Sequence, residues 1–518
     1  MHSGRGRGGA GWVLVLAALV TGATGVTGLQ GCGGGGAPVA ATPLGNVRNR
    51  EMDAQDRAAQ IPIARQSVGE SPDGKAAWVQ AMRDVVWETR EAPNLRVAAF
   101  QALVNDADPA IVEEGRSMGR LLLPRENSRI VVVDLSRTAA QKGWKDYIPA
   151  LIRSYSRPMP QRIDEQDRAE RMAIRDLSGG RPVEEVVFEV FMNPPELAPT
   201  YGLDWSQRFR TDAWDLLARL DGEGTMRLKL LEQVGGAAGD EVVQTIRASV
   251  RELRAIPVTG EELTWALRLR DPKSAANAAW WSEATSAIAR VQDRGPLQMR
   301  HAEPVRWAAR FRPEWVTRTR EQLLADVRLA MKDRDHTPRS AEQASDIVPE
   351  SLDHWAGSLR WGDLLTILVL LEQIQRPVSV SAWYEQSKMD RRDTTTEYGG
   401  MLAARGLDQE WAVPTLFPPR PGQREGDNKF IASDDMIRSS DRSLAHYHFH
   451  AQEERNSAYA GPSPGDLIYA ARQGRNCLVL TSLGEGEMGV DYYQPDGIVV
   501  DLGRIRVGAM LGSASGRQ

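Results

Sequence analysis

The composition shifts at Trp361, and the apolar patterns on either side of it limit what this chain can fold into. Before it, from about Asp73 to Asp271, apolar residues recur at helical spacing in segments divided by short Gly, Asp and Pro breaks. After it, Leu364 to Leu371 is one compact apolar helix pattern, far too short for a membrane span. The signals then become extended, over Met401–Ala404, Trp411–Phe417, Lys429–Ala432, Ser443–His450, Cys477–Thr481 and Ile498–Leu502. A helix over Asp466–Gln473 interrupts them, and Pro495-Asp496-Gly497 reads as a hairpin turn before the last strand. Side chains repeat every 3.6 residues on a helix face and every second residue on a strand face. The pattern therefore predicts a multidomain chain: an all-α region at 73–271, then an α+β domain with a mixed sheet at 356–518. With 518 residues, two or three domains are expected.

Within the helical region, Leu95–Leu103 has helical spacing. Asp108-Pro109 then supplies a cap and a first-turn proline for Ile111–Leu123. Similar segments recur at Tyr147–Tyr155, Asp204–Leu220, Asp240–Leu253 and Glu261–Leu269. The pair around Asp108-Pro109 resembles a HEAT-type repeat; without a fixed period, an irregular helical bundle fits equally well. Either fold implies a packing or docking module that takes a protein partner. Trp78, Trp87, Trp144, Trp205, Trp214 and Trp265 read as core fillers. Residues 272–355, where Trp280, Trp281, Trp307 and Trp315 sit among charged residues, read as a helical connector ending in an exposed loop. His301, His336 and His354 lie in that stretch without metal-like spacing.

Residues 1–31 read as an export signal: Arg5 and Arg7, then nine apolar residues from Trp12 to Val20, too few to span a bilayer. Leu29-Gln30-Gly31-Cys32 resembles the lipobox of bacterial lipoproteins, although Gln30 replaces the usual small residue. The resemblance implies that Cys32 is lipidated and anchors an exported protein to a membrane of the bacterial cell envelope, facing outside the cytoplasm. Residues 32–72, starting with Gly33–Gly36, then read as a flexible tether. Of the two cysteines, lipidation of Cys32 leaves Cys477, so neither an internal disulfide nor a cysteine zinc finger can form. A net charge of −5 argues against nucleic acid as a partner.

Only seven histidines occur, and three fall at alternate positions, His446, His448 and His450. On a strand all three imidazoles share a face. Two imidazoles and one carboxylate make up the ligands of a catalytic zinc site, with the fourth position left to water. Glu397 opens an earlier strand, and Ser463-Pro464-Gly465-Asp466 opens the helix that follows. The latter is also a respectable helix cap, and the two roles are compatible.

The order Glu, His-x-His, Ser-x-x-Asp resembles the JAMM/JAB (MPN) metalloproteases over about Trp361 to Arg504. By that resemblance His448, His450 and Asp466 would ligate Zn²⁺, Glu397 would be the general base, and Ser463 would stabilise the oxyanion. The implied activity is hydrolysis of a peptide or isopeptide bond in a protein or peptide substrate. A scaffold or binding protein without turnover, docking partners through its helical region, is the alternative. Two departures stand out: Ala451 follows the second histidine, where the family commonly has proline, and the Ala451–Pro462 loop is longer than usual. That loop is expected to govern access to the metal, and His446 to be a neighbour of the site. Gly484–Gly489 lacks the Lys-Ser/Thr of a phosphate loop.

Overall fold

The computed structural model describes residues 42–157, 164–195, 205–222, 224–234, 239–291, 293–337 and 348–507. Residues 1–31, expected to be an export signal, and Cys32 lie outside the described residues. The chain divides into two units, one ending at Asp106 and the other beginning at Ala107.

The first unit contains helices Pro43–Arg48, Ala54–Val68, Pro72–Trp87 and Pro93–Val104. Thr42, Asp53 and Ser71 cap the first three by accepting a backbone N–H two or three residues on. The expected tether over 32–72 is thus helical over most of 43–68. Its periodicity is hidden because Arg57, a charged residue, is buried there. Arg57 donates to Glu91 at 2.6 Å and to the Val47 carbonyl at 2.9 Å. Val47, Ile61 and Ala64 supply the apolar contacts.

In the second unit Asp108 accepts from the Ala110 N–H at 2.9 Å and Pro109 starts the helix Pro109–Leu122, as its sequence predicts. The expected connector over 272–355 is instead core along much of its length. Trp280 and Trp307 are fully buried within helices Ala275–Ala289 and Ala302–Phe311. Their indole N–H groups donate to Glu303 at 2.6 Å and to the Glu410 carbonyl at 2.7 Å. The charges that suggested exposure are paired, Arg306 with Glu303 at 2.7 Å inside the core and Arg312 with Glu372 half-buried at its edge. One continuous hydrophobic core then runs from Ala248 to Ile505.

The strands are β1 (Thr396–Glu397), β2 (Gly399–Ala404), β3 (Ala412–Leu416), β4 (Gly426–Phe430), β5 (Ala445–His450), β6 (Cys477–Gly484), β7 (Glu487–Tyr493) and β8 (Val499–Arg506). Six of them form a mixed sheet in the order β3-β2-β5-β6-β7-β8, in which only β5 and β6 run parallel. β1 and β4 make a separate parallel pair. β4 begins earlier than the expected Lys429, and β7 has no counterpart among the sequence-predicted strands. Helix Trp361–Ile374 is buried on nearly every side. No single helix among the described residues is long and apolar enough to cross a membrane. Central strand β5 is buried throughout: Tyr447 and Phe449 enter the apolar core, leaving the three histidines to the opposite face.

Candidate metal centre

Strand β5 holds its histidines between two neighbours, with His448 opposite Gly399 of β2 and Val479 of β6. Gly399 matters here because any Cβ at that position would collide with the Phe430 ring and the Tyr447 carbonyl. Without one, Phe430 stacks on His448 with centroids 5.3 Å apart and planes 13° from parallel. The His450 Nδ1 lies 2.7 Å from the Tyr459 carbonyl. A carbonyl only accepts, so Nδ1 carries the proton and Nε2 presents a lone pair.

Asp466 arrives from the third residue of helix Pro464–Gln473. It sits in a reciprocal cap: the Ser463 N–H donates to Asp466 Oδ2 at 2.7 Å, and the Asp466 N–H donates to Ser463 Oγ at 3.3 Å. The cap aims the carboxylate at the strand. Asp466 Oδ1 is 3.2 Å from His448 Nε2, and Oδ2 is 3.7 Å from His450 Nε2. The two Nε2 atoms are 3.3 Å apart. Tetrahedral ligands at about 2.0–2.1 Å from a zinc ion would be roughly 3.3 Å from one another. The donor set and two of its three edges therefore fit such an ion.

Glu397 offers a carboxylate oxygen within 4.8 Å of the ligand atoms of both histidines. That separation suits a carboxylate reaching a water in a fourth coordination position. Burial pushes the Glu397 carboxyl up; His448 opposes this and Asp466 adds to it, and the balance lies at about 7. Burial pushes Asp466 up as well, but adjacent His448 outweighs it and holds that carboxyl well below the usual range. The two neighbouring carboxyls are thus shifted in opposite directions.

A cavity of about 780 Å³ opens beside this group, lined by Glu397, His450, Ser463 and Asp466 among others. Glu397, His448, His450 and Asp466 converge, and Ser463 reaches the same cavity. His446 is drawn off: its Nδ1 is 2.8 Å from the Tyr469 hydroxyl. Sequence reasoning missed Phe430, Gln452 and Tyr459, which contact Glu397 or the histidines. They lie on β4 and in the Ala451–Pro462 loop, without any motif to mark them.

No family model matches the chain, and neither does any curated protein or solved structure. What the chain itself carries is a helical region followed by a mixed-sheet domain, with a buried Glu397, His448 and His450 group able to hold a metal ion.

Proposed function

We propose that this protein is a zinc metallopeptidase of the JAMM/JAB (MPN) type, hydrolysing a peptide or isopeptide bond. One observation carries the reading. His448, His450 and Asp466 meet with two of their three separations those a tetrahedral ion would impose, and the buried Glu397 lies beside them.

Zinc bound there would lower the pKa of a coordinated water to about 7 and polarise the scissile carbonyl. Glu397, buried beside the two histidines, would take the proton of a water held there and later deliver it to the leaving amine. His450 keeps its metal-facing nitrogen unprotonated through the Tyr459 carbonyl. The Ser463 hydroxyl, on the cavity wall, donates to the carbonyl oxygen as charge develops there. The helical region docks a protein partner, and Cys32 anchors the exported chain to the envelope membrane.

Purified protein should carry about one zinc per chain, measured by mass spectrometry of the metal. Glu397→Gln should keep that zinc and lower turnover of peptide or isopeptide substrates by on the order of 10²–10⁴-fold. Full activity in the variant would remove Glu397 as the base. Zinc uptake without turnover in the unaltered protein would favour the rival reading, a metal-binding scaffold.

A further inference from the structure

We infer that Gln452, on the long loop after the second histidine, is the positioning residue for Glu397. This rests on the metallopeptidase reading. Gln452 Nε2 donates to Glu397 Oε1 at 2.7 Å and to the Asp427 carbonyl at 2.6 Å. The orientation of that amide is fixed by its partners. The Asp427 carbonyl can only accept, and Gln452 Oε1 receives the Asn456 side-chain N–H at 2.6 Å. Both N–H bonds of Gln452 are thus committed, one of them to the carboxylate.

Asn456 is itself buried and anchored. Its backbone N–H donates to the Ser482 carbonyl at 2.8 Å, at the end of β6. The Ser482 hydroxyl donates to the Glu454 carbonyl at 2.8 Å, and Arg391 donates to that hydroxyl at 3.0 Å and to the Ala451 carbonyl at 3.2 Å. The strap therefore runs from a central strand, through Asn456 and Gln452, to one oxygen of Glu397. A charge-assisted donor on Oε1 fixes the carboxylate rotamer and leaves the second oxygen for the proton. The same loop supplies the Tyr459 carbonyl that sets the His450 tautomer. An insertion expected to control access also holds the base and one ligand in place.

A double-mutant cycle tests this, with metal binding separated from turnover. Cobalt-substituted full-length protein, Gln452→Leu, Glu397→Gln and the double variant are each titrated with acetohydroxamate. Visible cobalt absorption reports binding. The probe sheds or shares a proton on binding, so its affinity depends on a correctly held Glu397. Gln452→Leu should weaken binding by about tenfold, the scale of one hydrogen bond to a charged group. In the Glu397→Gln background the same change should cost less than about twofold. Asn456→Ala, which frees the strap without removing the amide, should show a smaller loss with the same dependence on Glu397. Equal losses in both backgrounds, or no loss in either, would overturn the inference while leaving the metal centre standing. Failure of the unaltered protein to take up cobalt would overturn the metal centre, and the inference with it.

Discussion

The substitution Asp466→Asn separates the helix cap that residue makes from the metal ligation proposed for it. The amide oxygen it introduces could still accept from the Ser463 N–H, which now donates to Asp466 at 2.7 Å, so a cap worth about 1 kcal/mol survives. The charge facing His448 at 3.2 Å is lost. A ligand that binds only the folded state at 100 times its Kd stabilises it by about 2.7 kcal/mol. The unit holding the site spans residues 107–518. At about 2.1 cal/mol/K per residue, a unit of that size unfolds with an entropy of roughly 0.9 kcal/mol/K. Buffered free zinc at that concentration should therefore raise the Tm of the unaltered protein by about 3 °C. A hundredfold weaker site leaves about 0.4 kcal/mol, so Asp466→Asn should move by only about 0.5 °C against its own zinc-free form. Scanning calorimetry resolves that difference. Equal shifts in both proteins would show that Asp466 is not a ligand; no shift in either would remove the zinc site.

Two further outcomes are expected. Burial pushes the Glu262 carboxyl up to about 7, above its unfolded value of about 4.3. Its contribution is fully present below pH ~4.3 and is lost as pH rises towards 7. Glu262→Gln should flatten the fall in stability across that window in urea denaturation, and an unchanged slope would refute the assignment. Cys32→Ser should move the protein from the membrane to the soluble fraction of a bacterial host; unaltered membrane partition would reject lipidation.

Local signals survived folding where one residue type has one physical use. Asp108-Pro109 and Ser463-Pro464 mark helix starts because a side-chain oxygen caps the N–H groups that a proline at the next position does not need. Strands β2, β5, β6 and β8 follow their apolar and aromatic runs. Strand β7 did not show because, from Met488 to Tyr493, every residue is buried, so alternation vanishes. Helices Ala54–Val68 and Ala302–Phe311 were obscured by arginines that are buried and paired with glutamates. In the site, residue types and their order disclosed Glu397, His448, His450 and Asp466. Gln452 and Tyr459 act through an amide and a backbone carbonyl, and only the path of the loop gives those groups a partner.

That dependence on surroundings extends beyond the loop, to the far end of the helix that carries Asp466. Helix Pro464–Gln473 ends at Gly474, which has a φ of +66°, and a Cβ there would strike the side chain of Glu262. The Arg475 guanidinium lies 3.0 Å from the ring centroid of Trp265, in helix Gly260–Leu269. Arg268 of that helix pairs with Asp441 at 2.5 Å, and Asp441 lies 3.5 Å from Arg475. From Gly474 back to Asp466 the helix rises about 12 Å. A tilt of about 5° at the packed end would move the carboxylate by about 1 Å, enough to spoil a site of this kind. The position of the Asp466 carboxylate therefore depends on helix Gly260–Leu269 as well as on its own cap. The shift of composition at Trp361 falls inside one core, and helix Gly260–Leu269 before it packs against the far end of the helix that carries Asp466.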